Sequence, residues 1–179
     1  MHDEGLQVLP AVLESFSIAR HILVGHSDGG SIAIVYAGSG PSNLAGLILE
    51  APHVFVEDVT IASIQDARRR WVATDLRQKL ARYHDHVDSM FESWADVWLR
   101  PAFREWRIDE CLPAIRCPAL IIQGETDEYG TLDQVATIEA ALGGDHEVLI
   151  LPECGHAPHV DERAAVEEAM AAFVARVLA

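Results

Sequence analysis

Lysine is almost missing from this chain. Lys79 is the only one, and 13 basic residues face 28 acidic ones for a formal net charge of −15. A surface that negative repels phosphate backbones and anionic lipid, so no nucleic-acid or membrane partner is expected. Cysteine is scarce as well: Cys111, Cys117 and Cys154 form an odd, scattered set. No pair has metal-ligand spacing, and a disulfide framework is not expected; a reducing, cytoplasmic setting fits. MHDEGLQVLP has no basic stretch leading into an apolar run, so no secretory signal is expected. No apolar run approaches a membrane span in length. What the chain does have is 179 residues, half of them hydrophobic, with a mean hydropathy of +0.12. That suits one domain with a real core, plus a small insertion.

Four short runs are apolar throughout rather than alternating: His21–Gly25, Leu47–Leu49, Ala119–Ile122 and Val148–Leu151. That is how strands of a parallel sheet read when both faces are buried. Helical spacing falls between and after them. Gly29–Ala37 is small and apolar. Leu132, Val135, Ile138 and Leu142 recur before Gly143-Gly144, a stop signal, and Val166, Met170, Phe173 and Val177 mark a last helix. The alternation predicts an α/β fold, a mostly parallel sheet flanked by helices. An opening helix is expected over about Glu4–Ser17, with a kink or late start at Pro10.

About seventy residues between the second and third strand runs break the alternation. Ile61, Ile64, Ala67 and Trp71 fit one helix; Val87, Met90, Phe91, Trp94, Val97 and Trp98 fit another. All four tryptophans, Trp71, Trp94, Trp98 and Trp106, lie here. Residues 58–107 are read as a helical cap, with 1–57 and 108–179 forming the core. Trp71, Trp94 and Trp98, together with His26, are candidate substrate-pocket residues, although a sharp turn at Ser27 would point His26 away from the tip, buried and hydrogen-bonded. The plainer alternative is that these tryptophans are the insertion's own core.

Gly25-His26-Ser27-Asp28-Gly29 reads G-x-S-x-G, directly after a strand run and directly before a helix. That context defines a nucleophile elbow. The chain turns sharply, the serine sits at the tip, and small neighbours let the backbones pass closely. A phosphate-binding turn would want G-x-G-x-x-G or a lysine before Ser/Thr, and neither is present. A serine nucleophile needs a base, and the base needs an orienting acid. Asp127 follows the third strand run and His156 the fourth, so Ser27, Asp127 and His156 sit on carboxyl-end loops of one parallel sheet, which converge in space. Glu125, Glu128 and Glu50, the last ending the second strand run, are rival acids. His159 reads as a rim residue near a helix start.

GHSDGG at 25–30, QGETDEYG at 123–130 and CGHAPHVDE at 154–162 resemble the serine hydrolases of the α/β-hydrolase fold, over essentially the whole chain. The resemblance implies Ser27 as nucleophile, Asp127 as acid, His156 as base and the Asp28 N–H as an oxyanion donor. It implies no metal and no organic cofactor, and a small acyl substrate. In that family the sheet ordinarily begins upstream of the nucleophile strand, and a loop there supplies a second oxyanion N–H. Only some twenty residues precede His21. The chain is therefore expected to lack the early strands and to leave its nucleophile strand as an open apolar edge. That edge predicts either a homodimer formed through it or a place within a longer chain. Two functions follow: a carboxylesterase-like hydrolase, its activity impaired by the missing loop, or a silent hydrolase fold serving as a self-associating or binding module. His84, His86 and Asp88 read as polar loop residues rather than metal ligands. Arg68-Arg69-Arg70 reads as a solvated helix face.

Overall fold

The computed structural model describes residues 1–179. It divides into two compact units, residues 1–55 with 107–179, and residues 56–106.

The first unit is built on four parallel strands: β1 (His21–His26), β2 (Leu44–Glu50), β3 (Ala119–Gly124) and β4 (His146–Leu151), in the order β1-β2-β3-β4. Helix α1 (Leu9–Ser15) precedes β1, and α2 (Asp28–Gly38) follows it. Three more helices belong to this unit: α6 (Leu132–Ala141), α7 (Pro158–Asp161) and α8 (Arg163–Leu178). Ile48, Leu120 and Ile122 pack with Leu151, Val166 and Phe173 of the α8 side. The intervening Leu47, Leu49 and Ile121 are also buried, and successive strand residues point to opposite faces, so β2 and β3 are covered on both sides. Helix α2, with Ile34 and Val35 buried, lies against β1 and β2.

The uniformly apolar runs imply four strands buried on both faces. That holds for β2 and β3 only. β1 and β4 are the sheet's outer strands and are partly exposed, Val24 of β1 to 58 %. An outer strand has one neighbour to cover it instead of two, and composition alone does not say which strand is outermost. The opening helix shows the expected irregularity beside Pro10. A π-helical turn at Glu4–Val8 runs without a break into α1, and Pro10, which has no N–H to give to a helical bond, is the second residue of α1.

The second unit holds α3 (Asp58–Ala73), α4 (Leu76–Leu80) and α5 (Val87–Leu99), then a 3-10 turn at Pro101–Glu105. Trp71 stacks on Phe91 with centroids 4.0 Å apart, and Trp94 lies 5.6 Å from the same ring. Trp98 is buried against Phe103 and Trp106. Two of the run's three arginines are paired within the unit, Arg68 with Asp96 and Arg69 with Asp66, and Arg77 makes two bonds to Asp88. No helix in either unit is long and apolar enough to cross a membrane.

Candidate active site

Ser27 stands between the end of β1 and the start of α2 with φ +54° and ψ −123°. A non-glycine residue in that region stores roughly 1–3 kcal/mol of strain and persists only where its surroundings hold it. Here the Ser27 N–H donates to the Glu50 carbonyl at 2.9 Å. Its own carbonyl accepts from the Gly30 and Ser31 N–H groups at 2.9 and 3.1 Å, the first turn of α2. The close backbone passage is made at Gly25, where a Cβ would lie 2.4 Å from the Gly29 carbonyl oxygen. Gly29, the second glycine of the motif, has open space instead, and Gly30 is the next tightest position of the turn. The steric requirement is therefore not shared by the motif's two flanking glycines as its pattern implies.

A second crossing brings the other two groups together. Gly124 ends β3, and a Cβ on it would meet the Gly155 and Cys154 carbonyl oxygens at 2.2 and 2.4 Å. The loops after β3 and β4 run in contact there, stitched by the Thr126 N–H and hydroxyl, both donating to the Cys154 carbonyl. The crossing sets Asp127 beside His156. Both carboxylate oxygens lie 2.8–2.9 Å from His156 Nδ1, and His156 Nε2 lies 2.9 Å from Ser27 Oγ. An ionised carboxylate only accepts, so Nδ1 carries the proton and Nε2 offers its lone pair to the serine hydroxyl. Asp127 also accepts from the Tyr129 N–H at 2.7 Å and the Gln123 amide at 2.8 Å. Burial is the largest single influence on its acidity and acts upward. The bonds to His156, Tyr129 and Gln123 together outweigh it and hold the carboxyl below its usual range.

His26 is half-buried, its ring 5.0 Å from that of His156, and its Nε2 lies 2.7 Å from the His156 carbonyl oxygen. Burial, the leading influence, keeps this imidazole below its ordinary value, against the upward pull of that hydrogen bond. A histidine whose folded value is lowered stabilises fully above its unfolded value of roughly 6.5, and that contribution is lost as pH falls through the folded one. Thermal stability should therefore decline from neutral pH toward about pH 5. The decline should be smaller in His26→Gln, as parallel melts would show; equal declines would remove His26 as a contributor.

Of the rival acids, Glu50 is buried but binds His159, Glu125 is exposed, and Glu128 accepts from the His156 backbone N–H at 3.3 Å. His159, read as a rim residue, is exposed yet bonded through Nδ1 and its backbone N–H to Glu50. Asp28 opens α2. Sequence reasoning gave no role to Gln123 or to the buried His53, whose ring is 5.7 Å from that of His156. For Gln123 the available signal was a polar residue at the next-to-last place of an apolar strand run, LIIQG; His53, three residues past the end of β2, carried none. Trp71, Trp94 and Trp98 belong to the second unit, packed among its own aromatics. Cys154 is buried, and burial, aided by nearby carboxylates, pushes its thiol up to about 11, leaving a protonated sulfur.

Strand, sharp turn, serine, and an acid and a histidine on later loops together define the class. The chain belongs to the alpha/beta hydrolase family, which matches it over residues 2–169. It is 30% identical over 114 residues to the 2-succinyl-6-hydroxy-2,4-cyclohexadiene-1-carboxylate synthase of Enterobacter sp. (strain 638), covering 64% of this chain and 42% of that one. It is 25% identical over 160 residues to the serine hydrolase BPHL of Homo sapiens, covering 83% and 53%. The chain thus spans about half the length of these curated relatives. Among solved structures, a serine hydrolase involved in carbazole degradation (CarC enzyme) superposes with a TM-score of 0.74 at 16% identity, covering 98% of this chain and 71% of that one. At that identity the likeness shows the fold.

Proposed function

We propose that this chain is the nucleophile-bearing part of a serine hydrolase that cleaves a small ester or related acyl compound. The observation that carries the reading is the continuous path Ser27 Oγ, His156 Nε2, His156 Nδ1, Asp127, each contact at 2.8–2.9 Å. Ser27 attacks the acyl carbon while His156 Nε2 takes its proton. Asp127, already ionised, stabilises the imidazolium. The oxyanion that forms is met by the Asp28 N–H at the positive end of α2. Collapse expels the alcohol, protonated by His156. Water, giving its proton to His156, then attacks the acyl-serine and returns the acid and the free hydroxyl. The family membership and a relative that is itself a serine hydrolase support the same reading. Three unpaired thiols fit a reducing cytoplasmic setting.

A fluorophosphonate probe tests it. The wild-type chain should be labelled at Ser27, and Ser27→Ala should lose the label and the turnover of p-nitrophenyl acetate together. Labelling without turnover would mean an activated serine short of transition-state stabilisation. No labelling of a folded wild-type chain would sink the hydrolase reading in favour of a silent module.

A further inference from the structure

The segment carrying His156 is held by side chains from other parts of the sheet's carboxyl margin. The Gly155 N–H donates to Asp161 Oδ2 and the His156 N–H to Glu128 Oε2, each at 3.3 Å. Two tighter grips come from the strands themselves. His26, the last residue of β1, reaches the His156 carbonyl at 2.7 Å. Glu50, the last residue of β2, accepts the His159 backbone N–H at 2.6 Å and is 2.9 Å from His159 Nδ1 through the same oxygen. His26 and Glu50 are direct register partners, so both grips are applied side by side.

The chemistry described so far uses neither group. The Glu50 side chain is only 4 % exposed, and a carboxylate is rarely buried so far without a partner that requires it. Its partner is not the base but the backbone three residues beyond the base. The His26 grip also has a fixed sense. A carbonyl only accepts, so His26 Nε2 carries the proton and donates it. Pro158 lies between the two grips with its φ set by its ring. One grip fixes the chain at 156 and the other at 159, and the imidazole has little freedom to swing off the line from Asp127 to Ser27.

We propose that Glu50 and His26 are positioning residues for His156, clamping residues 156–159 from the ends of two adjacent strands so that the imidazole stays aligned on Ser27. The consequence for rate rests on the serine-hydrolase reading; the clamp itself does not. Misplacing a reacting group by about 1 Å costs on the order of 100-fold. A glutamine at position 50 still offers an oxygen to the His159 N–H, and one at position 26 still offers an amide hydrogen to the His156 carbonyl.

Four variants decide the matter: Glu50→Ala, Glu50→Gln, His26→Ala and His26→Gln, each checked for folding by circular dichroism. Two readouts are taken, fluorophosphonate labelling with kcat and KM on p-nitrophenyl acetate, and the downfield NMR resonance of the His156 Nδ1 proton bonded to Asp127. The alanine variants should label about 100-fold more slowly, lose kcat at constant KM, and show that resonance broadened. The glutamine variants should stay within about tenfold of wild type and keep the resonance. Folded alanine variants that match wild type in both readouts overturn the proposal, as do glutamine variants that lose as much as alanine. Should the alanine variants not fold, loss of the resonance in the glutamine variants overturns it. If wild type shows the resonance but never labels, the hydrolase reading fails and the NMR comparison alone judges the clamp. A wild-type chain without the resonance removes the geometry on which both stand.

Discussion

Asp127→Asn should lower kcat on a p-nitrophenyl ester by about 10⁴-fold while the protein stays folded. The carboxylate has two oxygens, and both are committed. Oδ1 accepts from the Tyr129 and Gly130 N–H groups and from His156 Nδ1. Oδ2 accepts from the Gln123 amide and from His156 Nδ1. Asparagine keeps one acceptor, and the two backbone N–H groups hold it at the Oδ1 place. Its NH₂ then occupies the Oδ2 place and donates to His156 Nδ1. The imidazole must carry its proton on Nε2 instead, and Ser27 meets an N–H where it needs a lone pair. Gln123 can turn its amide so that Oε1, which has no hydrogen-bond partner now, accepts from the new NH₂, at the cost of its 3.3 Å bond to the Gly130 carbonyl. The variant should therefore fold with a loss on the order of 1 kcal/mol while its chemistry is nearly stopped. Steady-state kinetics beside a thermal melt would show it. A loss under tenfold would mean that Asp127 does not set the tautomer.

Gly25→Ala should cost about 4 kcal/mol or more of folding stability, and Gly124→Ala as much. Steric repair is cheap when a flexible side chain can move aside. Here the obstacles are backbone: the Gly29 carbonyl and Gly30 nitrogen at 2.4 and 2.7 Å for Gly25, and the Gly155 and Cys154 carbonyls for Gly124. Relief would require opening the turn at Ser27 in one case and parting the loops of Asp127 and His156 in the other. Gly29→Ala is the control, with nothing within 4 Å of its Cβ and a change of under about 1 kcal/mol expected. Urea titrations of the three variants read the difference directly, and equal losses at positions 25 and 29 would refute the crossing.

The architecture was legible because parallel strands and the helices between them leave a compositional trace. HILVG, LILE, ALIIQG and VLIL each lie within an observed strand, and all four tryptophans of the long gap lie within the second unit. Which strands are outermost was not legible, since an apolar run looks alike with one neighbour or two. The order of serine, aspartate and histidine could be read because each follows its own strand. The contacts of Glu50 and His26 could not. They depend on the β1–β2 register, which pairs those two residues, and on the crossing at Gly124, which lowers the histidine loop onto them. The glycine pattern was readable as a turn, yet only coordinates separate the crowded Gly25 from the open Gly29.

The placement of the four indole rings also decides what a spectroscopist would see. All of them belong to residues 56–106, and none to the strand-bearing unit that holds Ser27, Asp127 and His156. Tryptophan emission, excited apart from Tyr36 and Tyr129 of the strand-bearing unit, therefore reports on the helical insertion, whereas ellipticity follows both units. Coincidence of the two traces would be a true test of all-or-none unfolding in this chain rather than the same event recorded twice.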